Sequence, residues 1–542
     1  MLIAASLPLS KFAMSVTEFL LLALWAWSGF SFRIASRFFK IGGFFTGFYH
    51  LMGYLIRLVA RNFVDKFDHF FKNRSAVIFT SIFLIHIIGL LYTTDFEYAF
   101  KDLRIKLPLL LFPVVISTME VIKYKQFRLI MIIYIAAVFV GTMISLGIII
   151  QGEFTDIRFT SPYISSIRFG LNVSFAFFAL VYFVLFDKWF KEWHKVVFSV
   201  LAFWFVIYLV LLESVTSLSA IVLITLLFLV YQIFRIRNVS VKLGLLILAI
   251  ALPAFLTWYV AKTIHQASTP PKINTEQLDQ FTANGHPYIH DTLIRGVEDG
   301  RYLGLFLCEP EMKDAWNKRS SIDYMYYPEG KHELKETLIR YLTSKDLRKD
   351  AAGVNALTEK DIRLIEQGVA NYNYVAKPGL RVRILKIMMG YEVYKKTGDP
   401  SGSSVMQRIE YSKAAITLIK KYFWLGVGTG DIENTLINQY EKMNSDLKSQ
   451  FMFHAHNQFF AIFITFGVFG FLWFLFALIY PPFILNRFSD FFFATFFMIM
   501  MWSMLSDDTL ETQAGVTLFA FFYSLLLFGK EKKNADSKSL LL

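Results

Sequence analysis

Residues 129–151 read LIMIIYIAAVFVGTMISLGIIIQ, an apolar run without one charged side chain. A helix crosses the hydrocarbon of a bilayer with about 20 mostly apolar residues, so this stretch is expected to span. Ten further stretches fit the same description: 15–32, 76–94, 107–120, 168–186, 196–212, 215–234, 243–261, 457–480, 491–505 and 514–529. Two of these, 107–120 and 491–505, are short. The segment 41–73 is apolar but interrupted by Arg57, Arg61, Asp65, Lys66 and Asp68, and is expected to lie along the interface. The pattern predicts an all-α polytopic membrane protein with about 11–12 transmembrane helices.

Composition agrees. Of the 542 residues, 55% are hydrophobic and only 18% charged, against about 25% charged in soluble domains. The 59 Phe, 26 Tyr and 10 Trp are more aromatic surface than a soluble fold of this size can hide. A disordered chain, a disulfide scaffold and an ordinary cytosolic enzyme are excluded. One cysteine, Cys308, allows no internal disulfide and no cysteine-based zinc or iron–sulfur site. The net charge of +13 sits in short runs between apolar segments, which fits loops facing an anionic leaflet and not a nucleic acid. The first apolar run has neither a basic leader nor a small-residue cleavage site, so no cleavable signal peptide is expected.

Lysine and arginine set the orientation. Segments 33–75, 121–128, 187–195, 235–242, 481–490 and 530–542 carry 22 of them, whereas 1–14, 95–106, 152–167, 213–214 and 506–513 carry 5. The positive-inside rule puts the richer set in the cytoplasm. The N-terminus then starts outside, or a further helix precedes it. The long polar segment 262–455 falls on the outer side as well. Its helix-like stretches, at 333–350 and 358–371, lead us to expect a folded cap. The expected organisation is a bundle of about eight helices over 1–261, a loop domain over 262–455, three further helices over 456–529 and a cytoplasmic tail, 530–542.

Chemistry concentrates between 401 and 470. In SGSSVMQRIEYSKAAITLIKKYFWLGVGTGD, residues 401–431, Ser403 or Ser404 can cap a helix that ends at Gly426. Gly426, Gly428 and Gly430 alternate, but no strand precedes them and the spacing is not G-x-G-x-x-G, so they read as a helix stop and a turn. In FMFHAHNQFFAIFITFGVFGFLWFL, residues 451–475, His454, His456 and Asn457 stand at the outer mouth of a membrane helix. Gly467 and Gly470 lie further in, where small residues permit close helix contact. A histidine can serve as proton acceptor near neutral pH, or simply hydrogen-bond at the interface.

Arg168, in ISSIRFGLNVSFAF (residues 164–177), enters another membrane helix. A charge there needs a reason, of which snorkelling is the plainest. Arg408 could pair with Glu410 or another acid nearby on a solvated helix face. Metal chemistry is the rival account of His-x-His, with His286, His290 and Asp291 as further donors. No H-E-x-x-H is present, however, and Pro287 follows His286. Asp507-Asp508 is not a D-x-D motif and is expected to orient loop backbone or mark the membrane edge.

His456-Asn457, nine residues, then Gly467-x-x-Gly470 resembles the H-[N/S]-x9-G-x-x-G pattern of the O-antigen ligase family. Arg408 leading a helix into the Gly-rich turn, with Tyr440 beyond, looks like that family's large periplasmic loop, and the stretch around Arg168 is similar too. The likeness covers roughly 160–235 and 400–480 by motif and the whole chain by topology. Two features depart from it. Members often carry Ser-Arg where this chain has Ser217-Leu218, and the insert 262–400 is longer than usual. Residues 338–374 resemble the extended loop of Bacteroidetes members.

The resemblance implies an enzyme of the bacterial inner membrane whose large loop domain is periplasmic. It would move a preassembled polysaccharide from undecaprenyl pyrophosphate to lipid A–core, without metal, ATP or other cofactor. Its partners would be the lipid-linked donor, a hydroxyl acceptor and the bilayer. Charge builds on the departing pyrophosphate, so fixed cations beside it lower the barrier, and arginine suits that task through its fork and permanent charge. Arg168 and Arg408 would bind the pyrophosphate and His456 would act as general base. His454, Asn457, Gly467 and Gly470 would support it, with Asn457 or His454 holding the imidazole ring. An O-antigen polymerase and a protein O-oligosaccharide ligase are the nearest alternatives. Polymerases are associated with R-x10-G motifs, of which the large loop holds one, Arg319 to Gly330, no more than chance provides. A transporter or flippase would show charged or broken helices at the midplane and a detectable repeat.

Overall fold

The computed structural model describes residues 1–29, 32–152, 154–293, 296–326, 333–452 and 455–531, with backbone alone over 32–44. The chain is 73% helical with almost no sheet. Among the described residues, seven helices are long and apolar enough to cross a membrane: Arg74–Tyr92, Tyr124–Gln151, Ser166–Leu185, Glu192–Leu211, Val215–Arg235, Val239–Ser268 and Gln458–Ile484. Phe491–Ser506 and Gln513–Gly529 are apolar but shorter.

Two expected spans come out shorter than read. The stretch 15–32 forms helix Lys11–Ala26, and 107–120 forms helix Pro108–Thr118 of 11 residues. Eleven residues rise only about 16 Å, half of a bilayer core. That helix abuts Phe96–Lys106 across Leu107, which keeps helical angles (φ −48°, ψ −35°). A charged helix therefore leads directly into an apolar one, which starts with Pro108 at its first position. The segment 41–73 lies within one helix, Phe32–Lys72, of 41 residues. It exposes Phe45, Tyr49, Ile56 and Phe71 as well as the Arg61–Asp65 pair, the amphipathic pattern of an interfacial helix.

Membrane helices gain little from the hydrophobic effect against one another, so close packing must hold them. Aromatic rings supply much of it. One core runs from Phe79, Phe127 and Tyr134 through Phe175 and Phe183 to Phe492, Phe496 and Tyr523, joining both ends of the chain. Phe79 stacks on Tyr523 at 4.0 Å. Within the segment 262–455 a hydrophobic cluster forms around Met312, Trp316, Tyr324, Leu338, Tyr341 and Ile365. Two small antiparallel pairings lie within it, Ile289–Asp291 with Gly304–Leu307 and Val297–Glu298 with Arg301–Tyr302. Cys308 is closed inside, only 2% exposed. A second cluster, Tyr411, Leu418, Leu436 and Tyr440, packs on Ala461 and Ile464 of the helix Gln458–Ile484.

Polar contacts sort the loops into two groups. In the cation-poor group, Lys106 pairs with Glu511 at 2.6 Å, Lys386 of the large loop with Glu213 at 3.0 Å, and Arg168 with Asp507. The carboxylate of Asp431 accepts from Thr94 N at 2.7 Å and Asp95 N at 3.2 Å. In the cation-rich group, Arg128 pairs with Asp187 at 2.9 Å, Lys530 with Asp490 at 2.5 Å, and Arg487 donates to Lys530 O at 3.1 Å. These are the two sets that the lysine and arginine counts separate.

Candidate active site

The helix Gln458–Ile484 is not continuous. Gly467 sits at φ 63°, ψ −167°, far from helical angles. A Cβ there would meet Trp424 O at 2.2 Å, and one on Gly426 would meet Thr465 O at 2.4 Å. Only glycine tolerates such an approach and that φ. The opened turn is sealed by the Gly-rich segment: Val427 N donates to Ile464 O and Gly428 N to Thr465 O, both at 2.9 Å, and Val468 N to Phe423 O at 2.8 Å. The reading of Gly426–Gly430 as a helix stop and turn holds. Gly467 does permit close contact, but with this turn and not with another helix. Gly470 is helical and crowded by the Phe466 Cβ, which a Cβ would meet at 2.2 Å.

This break fixes the helix mouth where His456 stands. Asn457 is the N-cap: its Oδ1 accepts from Phe459 N at 3.0 Å and Phe460 N at 3.1 Å, and its Nδ2 donates to Leu505 O at 2.8 Å. Asn457 therefore positions the backbone beside His456 and leaves the ring to others. His456 itself adopts φ 44°, uncommon for a residue with a side chain and concentrated at functional sites. Its ring stacks on Tyr411 at 5.1 Å with planes 29° apart. The Tyr411 hydroxyl is anchored to Phe451 O at 2.7 Å. His454 lies outside the described residues, as does Gly330.

The ring is held by an acid that the sequence reading assigned to loop structure. His456 Nδ1 lies 3.1 Å from Asp507 Oδ1, and Asp508 Oδ1 lies 3.6 Å away. Arg168 sits behind them, 3% exposed. Its Nη1 pairs with Asp507, its Nη2 donates to Asp508 O at 3.0 Å and its Nε to Thr512 Oγ1 at 3.0 Å. Burial opposes the Asp507 charge, but Arg168 and the His456 hydrogen bond hold that carboxyl well below the usual range. Burial and the neighbouring Asp507 charge push Asp508 up to about 6. Gln458 ties this loop down, accepting from Leu510 N at 2.7 Å and donating to Glu511 at 2.8 Å.

Topology could have given this pairing. His456 opens one membrane helix and Asp507 closes the next, which puts both at the same end. Residues 51 apart carry no local spacing signal, however, and the motif is silent on the acid.

Arg168, expected to bind pyrophosphate, has its whole guanidinium engaged by protein. Arg408 differs. It is half-buried on helix Ser404–Lys421, one turn before Tyr411, and makes no hydrogen bond or ion pair among the described residues. Glu410, its suggested partner, takes Lys413 and Tyr394 instead, both at 2.7 Å. His286 and His290 do not join His456. The first bonds Glu311 at 2.7 Å, and the second accepts from Phe306 N at 3.3 Å.

His456, Asp507 and Asp508 together offer three ligand atoms within 4.8 Å of one another. Both Asp507 oxygens are taken, one by Arg168 and one by His456. The permanent guanidinium charge occupies the place a divalent ion would neutralise, so the donor set fits a metal poorly.

Two comparisons with known proteins bear on this arrangement. Residues 369–475 match the model of a protein family described as O-Antigen ligase. That range holds the Arg408 helix, the Gly-rich turn, His456 and both glycines of the broken helix. Among curated proteins no match is found.

Proposed function

We propose, from the premise that residues 369–475 are an O-antigen ligase family domain, that this chain transfers a preassembled glycan from undecaprenyl pyrophosphate to a lipid A–core hydroxyl. The coarser statement, a membrane protein of O-antigen ligase or polymerase type, follows from that match and from the apolar helices. The finer one rests on a single observation: a histidine at a helix mouth, oriented by a buried carboxylate that an arginine keeps ionised, and stacked on the helix of an arginine with no partner among the described residues.

Each part has a task. Asp507 accepts from Nδ1 of His456, which fixes the tautomer and leaves Nε2 free to take a proton. His456 Nε2 removes the proton of the acceptor hydroxyl as its oxygen bonds to the anomeric carbon. The bond from that carbon to the pyrophosphate oxygen breaks, and the electron pair leaves with undecaprenyl pyrophosphate. Arg408 stabilises the charge that grows there. Arg168 acts through Asp507, a positioning role in place of direct phosphate contact. In this reading the loop segment lies in the periplasm and the enzyme acts at the inner membrane, which the excess of lysine and arginine on the opposite loops supports.

The test is reconstitution. Purified protein in proteoliposomes, given lipid-linked glycan and lipid A–core, should transfer in excess EDTA without nucleotide. A strict need for added divalent metal would sink the reading. Glycan joined only to further lipid-linked glycan would favour the polymerase instead.

A further inference from the structure

Four basic side chains belong to one region at the outer end of the bundle. They are Arg158 in the turn Ile157–Thr160, Arg383 and Lys386 on helix Leu380–Thr397, and Arg408 on helix Ser404–Lys421. Two of them already hold an acid. Arg158 bonds Asp156 through Nε at 2.9 Å and Nη2 at 2.7 Å, and Lys386 holds Glu213 at 3.0 Å. Arg383 and Arg408 hold none among the described residues.

Arg383 stands out further. Its Nη2 donates to Ser404 Oγ at 3.0 Å, while its Nε is buried with no partner among the described residues. A buried donor left unpaired is costly, and an arginine brings five N–H groups. Burial, with the Arg158 and Arg408 charges near it, holds the guanidinium below its ordinary proton affinity. An anion arriving here would relieve all of these at once.

The two free arginines are neighbours. Ser404, the anchor of Arg383, lies four residues before Arg408 on the same helix face, about 6 Å along the axis. The helix carrying Arg383 also rests on the end of a membrane helix. A Cβ on Gly379 would lie 3.9 Å from Val210, the last turn of Glu192–Leu211, and Glu213 follows in the next turn. A lipid phosphate emerging from the bilayer would meet the pair at this level.

We propose that Arg383 is a second phosphate-binding arginine, and that Arg383 and Arg408 together take the two phosphates of a diphosphate headgroup. The proposal rests on the donor class proposed above and adds that this pair selects diphosphate over monophosphate lipids. Arg158 and Lys386 are each neutralised by their own carboxylate, so the net positive charge of the region comes from Arg383 and Arg408.

The experiment measures binding to full-length protein in nanodiscs, with undecaprenyl pyrophosphate, undecaprenyl phosphate and inorganic pyrophosphate as probes. Arg383→Gln should weaken both diphosphates by about 10–100-fold, the worth of one charge-assisted contact, and undecaprenyl phosphate clearly less. Arg383→Lys should not restore the loss, because a point charge lacks the fork. Binding lost for the lipid diphosphate and not for inorganic pyrophosphate would show that Arg383 reads the lipid, and would overturn the proposal. So would equal losses for mono- and diphosphate lipids, or unchanged diphosphate binding. If Arg383→Gln does not fold, Ser404→Ala frees the guanidinium from its anchor and should weaken diphosphate binding more weakly in the same pattern; no change would count against the pair. Glycan transfer is scored separately. Arg383-dependent diphosphate binding without transfer would refute the ligase reading alone, and transfer that needs Arg408 with Arg383-independent binding would refute this proposal alone.

Discussion

At the scale of single residues, the site is a buried charge balance. Arg168→Ala would leave Asp507 as an uncompensated buried carboxylate, a change that costs about 3–5 kcal/mol. Thermal unfolding in detergent should show it as a large loss of stability, greater than that of Arg408→Ala, whose guanidinium has no partner among the described residues to strand. Asp508 gives a pH prediction of definite sign. Its carboxyl is raised from 3.8 to about 6. Between those values the folded chain keeps a proton that the unfolded chain has lost, so this group makes stability fall as pH rises through the window. Above it the full cost is present. Asp508→Asn should therefore raise Tm at pH 7.5 and change it little at pH 4, while the backbone carbonyl still accepts from Arg168. An equal gain at both pH values would show that the acid is not strained by ionisation. His456 and Arg408 were legible in the sequence because a motif carries them. Asp507 was not, because its role depends on which helix ends meet, and the Arg168–Asp507 pair was hidden for the same reason.

At the scale of elements, the broken helix Gln458–Ile484 is the feature that brings the large loop and the membrane bundle together. Gly467→Ala would force a Cβ to within 2.2 Å of Trp424 O at a φ of 63°. It should destabilise by at least about 2 kcal/mol and reduce activity, since the displaced turn follows directly on the helix that carries Arg408 and Tyr411. Gly244→Ala is the control: a Cβ there meets nothing within 4 Å, and in a helix it should be neutral or slightly stabilising. Equal effects of the two substitutions in a Tm series would contradict the sealing of the break by Val427 and Gly428. The glycine pattern was visible beforehand, but at Gly467 the close approach comes from the Gly-rich turn and not from a second helix. Small residues report that something comes close; they do not report what.

At the scale of the whole molecule, orientation rests on counts of 22 and 5 cations, and the loop contacts divide into the same two groups. Cys308 is buried and cannot report sidedness. In a Cys308→Ser background, Lys272→Cys, at an exposed position of the loop segment, should react with a membrane-impermeant maleimide in intact spheroplasts. Glu192→Cys, also exposed and at the opposite end, should react only after permeabilisation. The reverse pattern would invert the topology and take the active site out of the periplasm. The all-α architecture could be read from hydropathy and length alone. How the cap docks could not, because Asp431 meeting Thr94 and Lys386 meeting Glu213 are long-range pairings without a local signal. The central claim is that His456 does the chemistry while arginines hold the donor. It is tested most directly by single-turnover transfer and donor binding of His456→Ala in the same proteoliposomes. Binding of lipid-linked glycan should be unchanged and the transfer step slower by about 10²–10⁴-fold, the usual worth of a general base. Normal transfer by His456→Ala, or donor binding lost in step with the rate, would contradict it.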